Sequence, residues 1–195
     1  MGLVRASSAS CPNGLVGQSG CYVPRVKSYR CAVLIREATD ADLSAIAPFF
    51  REIVADGETY AFPEDLDHDG VRAWWIEQPP GRTVVALDDD GTVLGTAKMG
   101  PNRPARGSHI GTASFMVSPA ARGRGVGRAL AEHVVEWHRE QGYDGIQFNA
   151  VVETNTAAVA LWKSLGFQVL ATVPGAFESR RHGKVGLHVM FLPLR

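Results

Sequence analysis

Residues 121–128 read ARGRGVGR, so glycines at 123, 125 and 127 alternate with arginine and valine. A strand followed by such a turn and then a helix makes an anion site. The first N–H groups of a helix lack intrahelical acceptors, and the dipole there is positive. Glycine lets backbone amides come close to phosphate. A nucleotide-hydrolysing loop would need G-x-x-x-x-G-K-[ST], and no Lys-Ser or Lys-Thr follows these glycines. A dinucleotide site would need G-x-G-x-x-G after a first strand, with an acid about 20 residues later. Here the spacing is G-x-G-x-G, and Asp144 falls in a turn rather than at a strand end. Asn149 interrupts the apolar run IQFNAVV, where a buried amide must find partners or cost a few kcal/mol. Asn155 opens TNTAAVALW, where asparagine is a favoured helix cap. His133 and His138 fall on different faces of a helix, and Cys11, Cys21 and Cys31 are too widely spaced for a zinc site. No metal is expected.

These groups need a frame. AVLIREA (32–38) reads as a short buried strand, and Thr39 with Asp42 as the capped start of a helix. Pro48 is expected to kink or divide that helix. Residues 55–65 read as a loop and 67–77 as a second helix. Asp90-Gly91 marks a hairpin between two β-rich runs. SHIGTASFMVSP (108–119) is a strand, and a helix follows to about Gln141 with Val126, Leu130, Val134 and Trp137 as its apolar stripe. Then come a strand (145–152), a helix (154–166), a strand (167–173), a loop over PGAFESRRHG and a last strand (184–194). The order is strand, two helices, three strands, helix, strand, helix, two strands. That is one mixed α/β domain from residue 32 to 195. Residues 1–31, rich in Ser, Gly and Pro, read as a disordered extension with free thiols.

Arg122-Gly123-Arg124-Gly125-Val126-Gly127 resembles the [QR]-x-x-G-x-[GA] signature of the GCN5-related N-acetyltransferases. ETNTAAVALWKSLGF resembles a second stretch of that family, and the element order is similar from Ala32 to Arg195. The resemblance implies a mostly antiparallel sheet of about seven strands with a splayed central parallel pair and about four helices. It implies acetyl-CoA as acyl donor, with the amides of Arg124 to Gly127 on its pyrophosphate and Arg122, Gly123 and Arg128 beside them. Phe115, Met116 and Val117 would line the pantetheine arm. The Met116 and Val117 amides would polarise the thioester, and Asn155 would contact the pantetheine or pyrophosphate region. FNAVVETNTAAVALWKSLGF, ATVPGAF and HVMF look like a subgroup that acetylates proline analogues such as azetidine-2-carboxylate. There Asn149 would orient the acceptor nitrogen, although Thr112 stands where those enzymes carry asparagine. Trp162 stands where many relatives carry an acidic tyrosine, and an indole cannot protonate a thiolate. Glu58, Glu153 and His109 are candidate bases.

The chain has 20 basic and 20 acidic residues and a formal net charge of zero, so no global field attracts nucleic acid or an acidic membrane. No apolar run approaches the ~18 residues that span a bilayer. The expectation is a cytoplasmic enzyme that acetylates a small amine by direct attack, with a homodimer as an option. A non-catalytic acyl-CoA-binding module, or a transferase acting on a protein N-terminus or an antibiotic, stands as the alternative.

Overall fold

A computed structural model describes residues 33–195. The expected extension over residues 1–31, with its three cysteines, lies outside them. The strands are β1 (Leu34–Glu37), β2 (Arg82–Leu87), β3 (Val93–Pro101), β4 (Ile110–Val117), β5 (Gly145–Val152), β6 (Gln168–Ser179) and β7 (Gly183–Pro193). The helices are α1 (Leu43–Asp56), α2 (His68–Trp75), α3 (Val126–Glu140) and α4 (Thr156–Ser164). One sheet of seven strands runs in the order β1-β2-β3-β4-β5-β7-β6. Every pairing is antiparallel except β4 with β5. The expected mixed fold is what forms.

Local chemistry sets most element ends. Asp42 accepts from the Thr39 N–H at 2.7 Å and the Thr39 hydroxyl at 2.9 Å, and Arg36 grips the same carboxylate. That turn is 3₁₀ (Asp40–Asp42) and leads into α1. Helix α1 then runs through Pro48 undivided, contrary to expectation. Pro48 and Ser44, whose carbonyl loses its usual donor, both lie on the exposed face, where water can replace the bond. The opposite face, with Ile46, Ala47, Phe50 and Val54, is buried on both sides of the proline. Asp67 caps α2 by accepting from the Gly70 N–H. Gly91 closes the β2–β3 hairpin with φ +84°, a conformation that glycine adopts without strain. Residues 174–179, expected as loop, instead prolong β6. A register shift between Val173 and Phe177 absorbs Pro174, which cannot donate to the ladder.

Helices α1 and α2 cover one face of the sheet, and α3 and α4 cover the other. On the first, Leu43, Ile46, Phe50, Val71, Trp75 and Met116 pack together. Trp75 donates through Nε1 to the Thr96 hydroxyl at 3.0 Å, which donates in turn to the Val84 carbonyl. Truncating a ring so placed costs about 3–5 kcal/mol. On the second face Val126, Leu130, Val134 and Trp137 of α3 meet Val84, Ala86 and Ala97. Trp162 of α4 packs on Phe115, Phe148 and Phe167 as a wall of the core. No helix among the described residues is long and apolar enough to cross a membrane.

Candidate active site

The parallel strands β4 and β5 pair only through Ile110–Gly145 and Gly111–Ile146, and then part. Beyond that fork the inner edge of β4 is left without a strand. The backbone of a strand alternates in direction, so every second residue turns its N–H and C=O to this edge. Ser118 donates to the Leu94 carbonyl on β3, whereas both backbone groups of Phe115 are bonded to Tyr60 on the other side. Alternation therefore turns Met116 toward β3, and Phe115 and Val117 toward the fork. Of the Met116 and Val117 amides, only that of Val117 turns to the fork. The side chain of Met116 is buried against α1 and α2.

Strand β4 leads through a 3₁₀ turn (Pro119–Ala121) into the glycine turn and α3. Gly123 and Gly125 have φ of +76° and +84°, and a Cβ on either would meet nothing within 4 Å. Both positions face open space. Gly125 caps α3, and the first intrahelical bond is Ala129 N–H to Gly125 O at 3.1 Å. The amides of Val126, Gly127 and Arg128 precede it and point out of the helix end. The Arg124 amide is already directed at Ala121 O, at 3.4 Å, and its guanidinium reaches Asp88 on the β2–β3 turn, also at 3.4 Å. The donor run thus starts two residues later than expected, at Val126. Arg128 donates to the Ser164 hydroxyl at 2.7 Å, tying the start of α3 to the end of α4. Asn155 caps α4, accepting from the Ala158 N–H at 3.3 Å. The cap uses its carbonyl oxygen and leaves its NH₂ group for another acceptor.

Asn149 is not the buried amide its apolar neighbours suggest. A register shift between Phe148 and Val151 releases it from regular pairing with β7, and it is exposed. Its Nδ2 donates to the Asn102 side-chain oxygen at 2.6 Å, and its Oδ1 accepts from Gln147 at 2.8 Å. Asn102, just beyond β3, thus reaches across the fork to β5. Asn149 and Thr112 line a cavity of about 410 Å³ with Ser114, Lys98 and Glu77. Lys98 is 2.9 Å from Glu77 and donates to the Trp74 carbonyl.

Glu58 has a different occupation from the one expected. Its carboxylate accepts from the Ser179 hydroxyl at 2.7 Å and the Arg181 N–H at 3.0 Å. The Ser179 bond, with help from Arg181, holds this carboxyl below the usual glutamate range. A stabilised anion is a poor base. Glu58 fastens the loop after α1 to the β6–β7 turn. Glu153 accepts from the Gly186 N–H, which holds its carboxylate to β7. Sequence reasoning missed Asn102, Lys98, Glu77 and Ser179. Each depends on a partner far along the chain, and only Asn102, in a turn-rich stretch, carried even a local signal.

Residues 47–167 match the model of the Acetyltransferase (GNAT) family. A GCN5-related N-acetyltransferase from Kribbella flavida is 58% identical, with TM-score 0.81, over 84% of this chain and 98% of that one. The yncA acetyltransferase structure from Salmonella typhimurium, which carries acetyl-CoA, is 27% identical, with TM-score 0.74, over 84% and 95%. The L-methionine sulfoximine/L-methionine sulfone acetyltransferase of Salmonella typhimurium is 30% identical over 72% of this chain and 82% of its own length. N-acetyltransferase aca1 of Schizosaccharomyces pombe is 32% identical over 53% of this chain, which spans 49% of that relative. Protein SPT10 of Saccharomyces cerevisiae is 30% identical, and the chain spans 13% of it.

Proposed function

The chain belongs to the acetyltransferase (GNAT) family, and from that premise we propose that residues 32–195 form an N-acetyltransferase that moves the acetyl group of acetyl-CoA to the amine of a small molecule, an amino or imino acid. The fork beside the glycine turn carries this reading. An unpaired strand edge lies next to a helix end that offers the amides of Val126, Gly127 and Arg128. The turn at Gly123 and Gly125 leaves room for a pyrophosphate beside these amides, since a Cβ at either would meet no neighbouring atom. Acetyl-CoA supplies an activated acyl group on a thiol leaving group. The Val117 N–H and the freed edge of β4 would hold the pantetheine arm, and a donor aimed at developing negative charge is worth about 3–4 kcal/mol of barrier.

The acceptor would enter from the α1–α2 face, through the cavity of Asn149 and Thr112. There Lys98 and Glu77 present both signs of charge, which suits the zwitterion of an amino acid. Relatives that bear amino-acid names support the same class: the methionine sulfoximine enzyme and an L-amino acid N-acyltransferase of Escherichia coli. Asn149, fixed between Asn102 and Gln147, would orient the attacking nitrogen. Direct attack in a ternary complex fits this arrangement, with the amine proton leaving to solvent. We take the reaction to be cytoplasmic.

Free-thiol release from acetyl-CoA, measured across amino acids, imino acids, polyamines and streptothricin, tests this. Amino or imino acids should give the largest kcat/KM. Streptothricin, the acceptor named for a relative from Streptomyces lavendulae, is the competing outcome. If acetyl-CoA neither binds nor raises the melting temperature, the reading is wrong.

A further inference from the structure

Tyr60 crosses from the loop after α1 into the fork. Its hydroxyl donates to the Phe115 carbonyl at 2.6 Å and accepts from the Phe115 N–H at 3.0 Å. One hydroxyl thus satisfies both backbone groups that β4 would otherwise give to a neighbouring strand. The ring is held on two sides, stacked on Phe62 at 5.0 Å between centroids and edge-on to Trp75 at 6.1 Å. Phe62 stacks in turn on Phe50 of α1 at 5.7 Å. With the ring packed in this way, the hydroxyl can redirect its proton only by rotation about Cζ–Oη.

Trp162 offers no acidic hydrogen to a leaving thiolate, because it is an indole wedged among Phe115, Phe148 and Phe167. Glu58 is ionised and occupied. Tyr60 is the phenol that reaches the unpaired edge of β4, at the residue two before Val117. Burial keeps this phenol protonated by raising its pKa. It can therefore donate a hydrogen bond without losing its proton.

Resting on the transferase reading above, we propose that Tyr60 is a catalytic hydrogen-bond donor to the sulfur of the acyl donor. With the pantetheine arm in the fork, the Phe115 carbonyl accepts from the arm instead, and the Tyr60 O–H turns about its Cζ–Oη bond to the sulfur. The Phe115 N–H stays on Oη and polarises it. As the amine forms the new C–N bond, the C–S bond breaks and its electron pair goes to sulfur, where the hydroxyl meets it. The phenolic proton is shared and not transferred, and the amine proton leaves to solvent. The ring does not move.

The test is the thiol pKa of CoA bound to the full chain, read from thiolate absorbance in the ultraviolet. In the native protein the bound thiol should ionise at least one pH unit, a tenfold change in its acidity, below the value in Tyr60→Phe. CoA affinity at neutral pH should agree within about threefold between the two. Acetyl-transfer kcat should fall by 10-fold or more in Tyr60→Phe with KM for acetyl-CoA little changed. Site-specific 3-fluorotyrosine at residue 60 keeps the ring and the hydroxyl and should lower the thiol pKa further, so the idea stays testable even if the phenylalanine variant folds poorly. Equal thiol pKa values in native and variant proteins overturn the proposal. So does tighter CoA binding by Tyr60→Phe with no pKa change, which would make the hydroxyl a competitor for the backbone. Failure of the native chain to bind CoA at all overturns the transferase reading itself, and this proposal with it.

Discussion

The imidazole of His138 fills the space where a side chain on Gly111 would stand, at the last residue before β4 and β5 part. His138 is fully buried on α3, and its Nδ1 lies 2.8 Å from the Val134 carbonyl, which makes Nδ1 the donor. The ring acts as a wedge at the root of the fork. Gly111→Ala forces the ring or the strand aside and should cost about 1–3 kcal/mol by overpacking. Urea denaturation followed by tryptophan fluorescence measures it. An unchanged midpoint would mean the site has room that the packing denies.

Gly125→Glu should abolish acetyl-CoA binding. The new carboxylate would stand where the proposed function places phosphate, and would repel it. The left-handed backbone at φ +84° adds strain of about 1–2 kcal/mol. Nothing within 4 Å of a Cβ there obstructs folding, so the protein should remain soluble for calorimetry. Affinity within threefold of the native value would remove the glycine turn from the donor site.

Asn149→Ala should leave stability unchanged, since the residue is exposed and its partners Asn102 and Gln147 can turn to water. Turnover should fall at least tenfold with acetyl-CoA affinity intact. Asn102→Ala should show a milder form of the same loss. A drop in melting temperature instead of turnover would return Asn149 to a structural role.

Glu58→Gln should lower the melting temperature while leaving the acid limb of the kcat/KM profile in place. The native carboxyl sits below its unfolded pKa, so its stabilising bonds are complete above the ordinary glutamate range and fade as pH falls through the folded value. An acid limb that disappears in the variant would restore Glu58 as the base.

Asp42 gives the same sign on a firmer base. Bonds from Arg36 and from Thr39 hold its pKa well below the usual value near 3.9. Its contribution is whole above about pH 4 and is lost as acid protonates the carboxylate. Arg36 is 42% exposed, so solvent screens the pair. Loss of the turn should cost about 0.5–2 kcal/mol, the range for a helix cap. Asp42→Asn should flatten the decline in unfolding free energy between pH 5 and 2.

Much of the frame was legible because it is local. Asp90-Gly91, Gly142 and Gly166 mark ends through backbone conformations that a single residue dictates, and β5 follows from one apolar run. The passage of α1 through Pro48 is not legible, because sequence shows the lost hydrogen bond but not that the orphaned carbonyl faces water. The full length of β6 is not legible either, because Pro174 and Gly175 are turn residues, whereas a register shift keeps the strand going. The glycine turn before α3 is readable in the sequence, and the side-chain pairings around the fork are not. Tyr60 meets Phe115 across 55 residues, and Glu58 meets Ser179 across 121. Such pairings are set by how the loop after α1 lies across the sheet. Likewise Asn149 reads as buried from its neighbours and is exposed because β5 leaves its ladder there.

The two-residue seam between β4 and β5 also has a mechanical meaning. It divides the backbone ladder into two ribbons, β1 to β4 and β5-β7-β6, that share little main-chain bonding. Each ribbon is laced within itself, and side chains such as Phe115, Phe148 and Trp162 glue one to the other. Amide protons should then exchange with solvent in two cooperative sets, one per ribbon. A molecule lying along the seam would splice the ribbons and slow both.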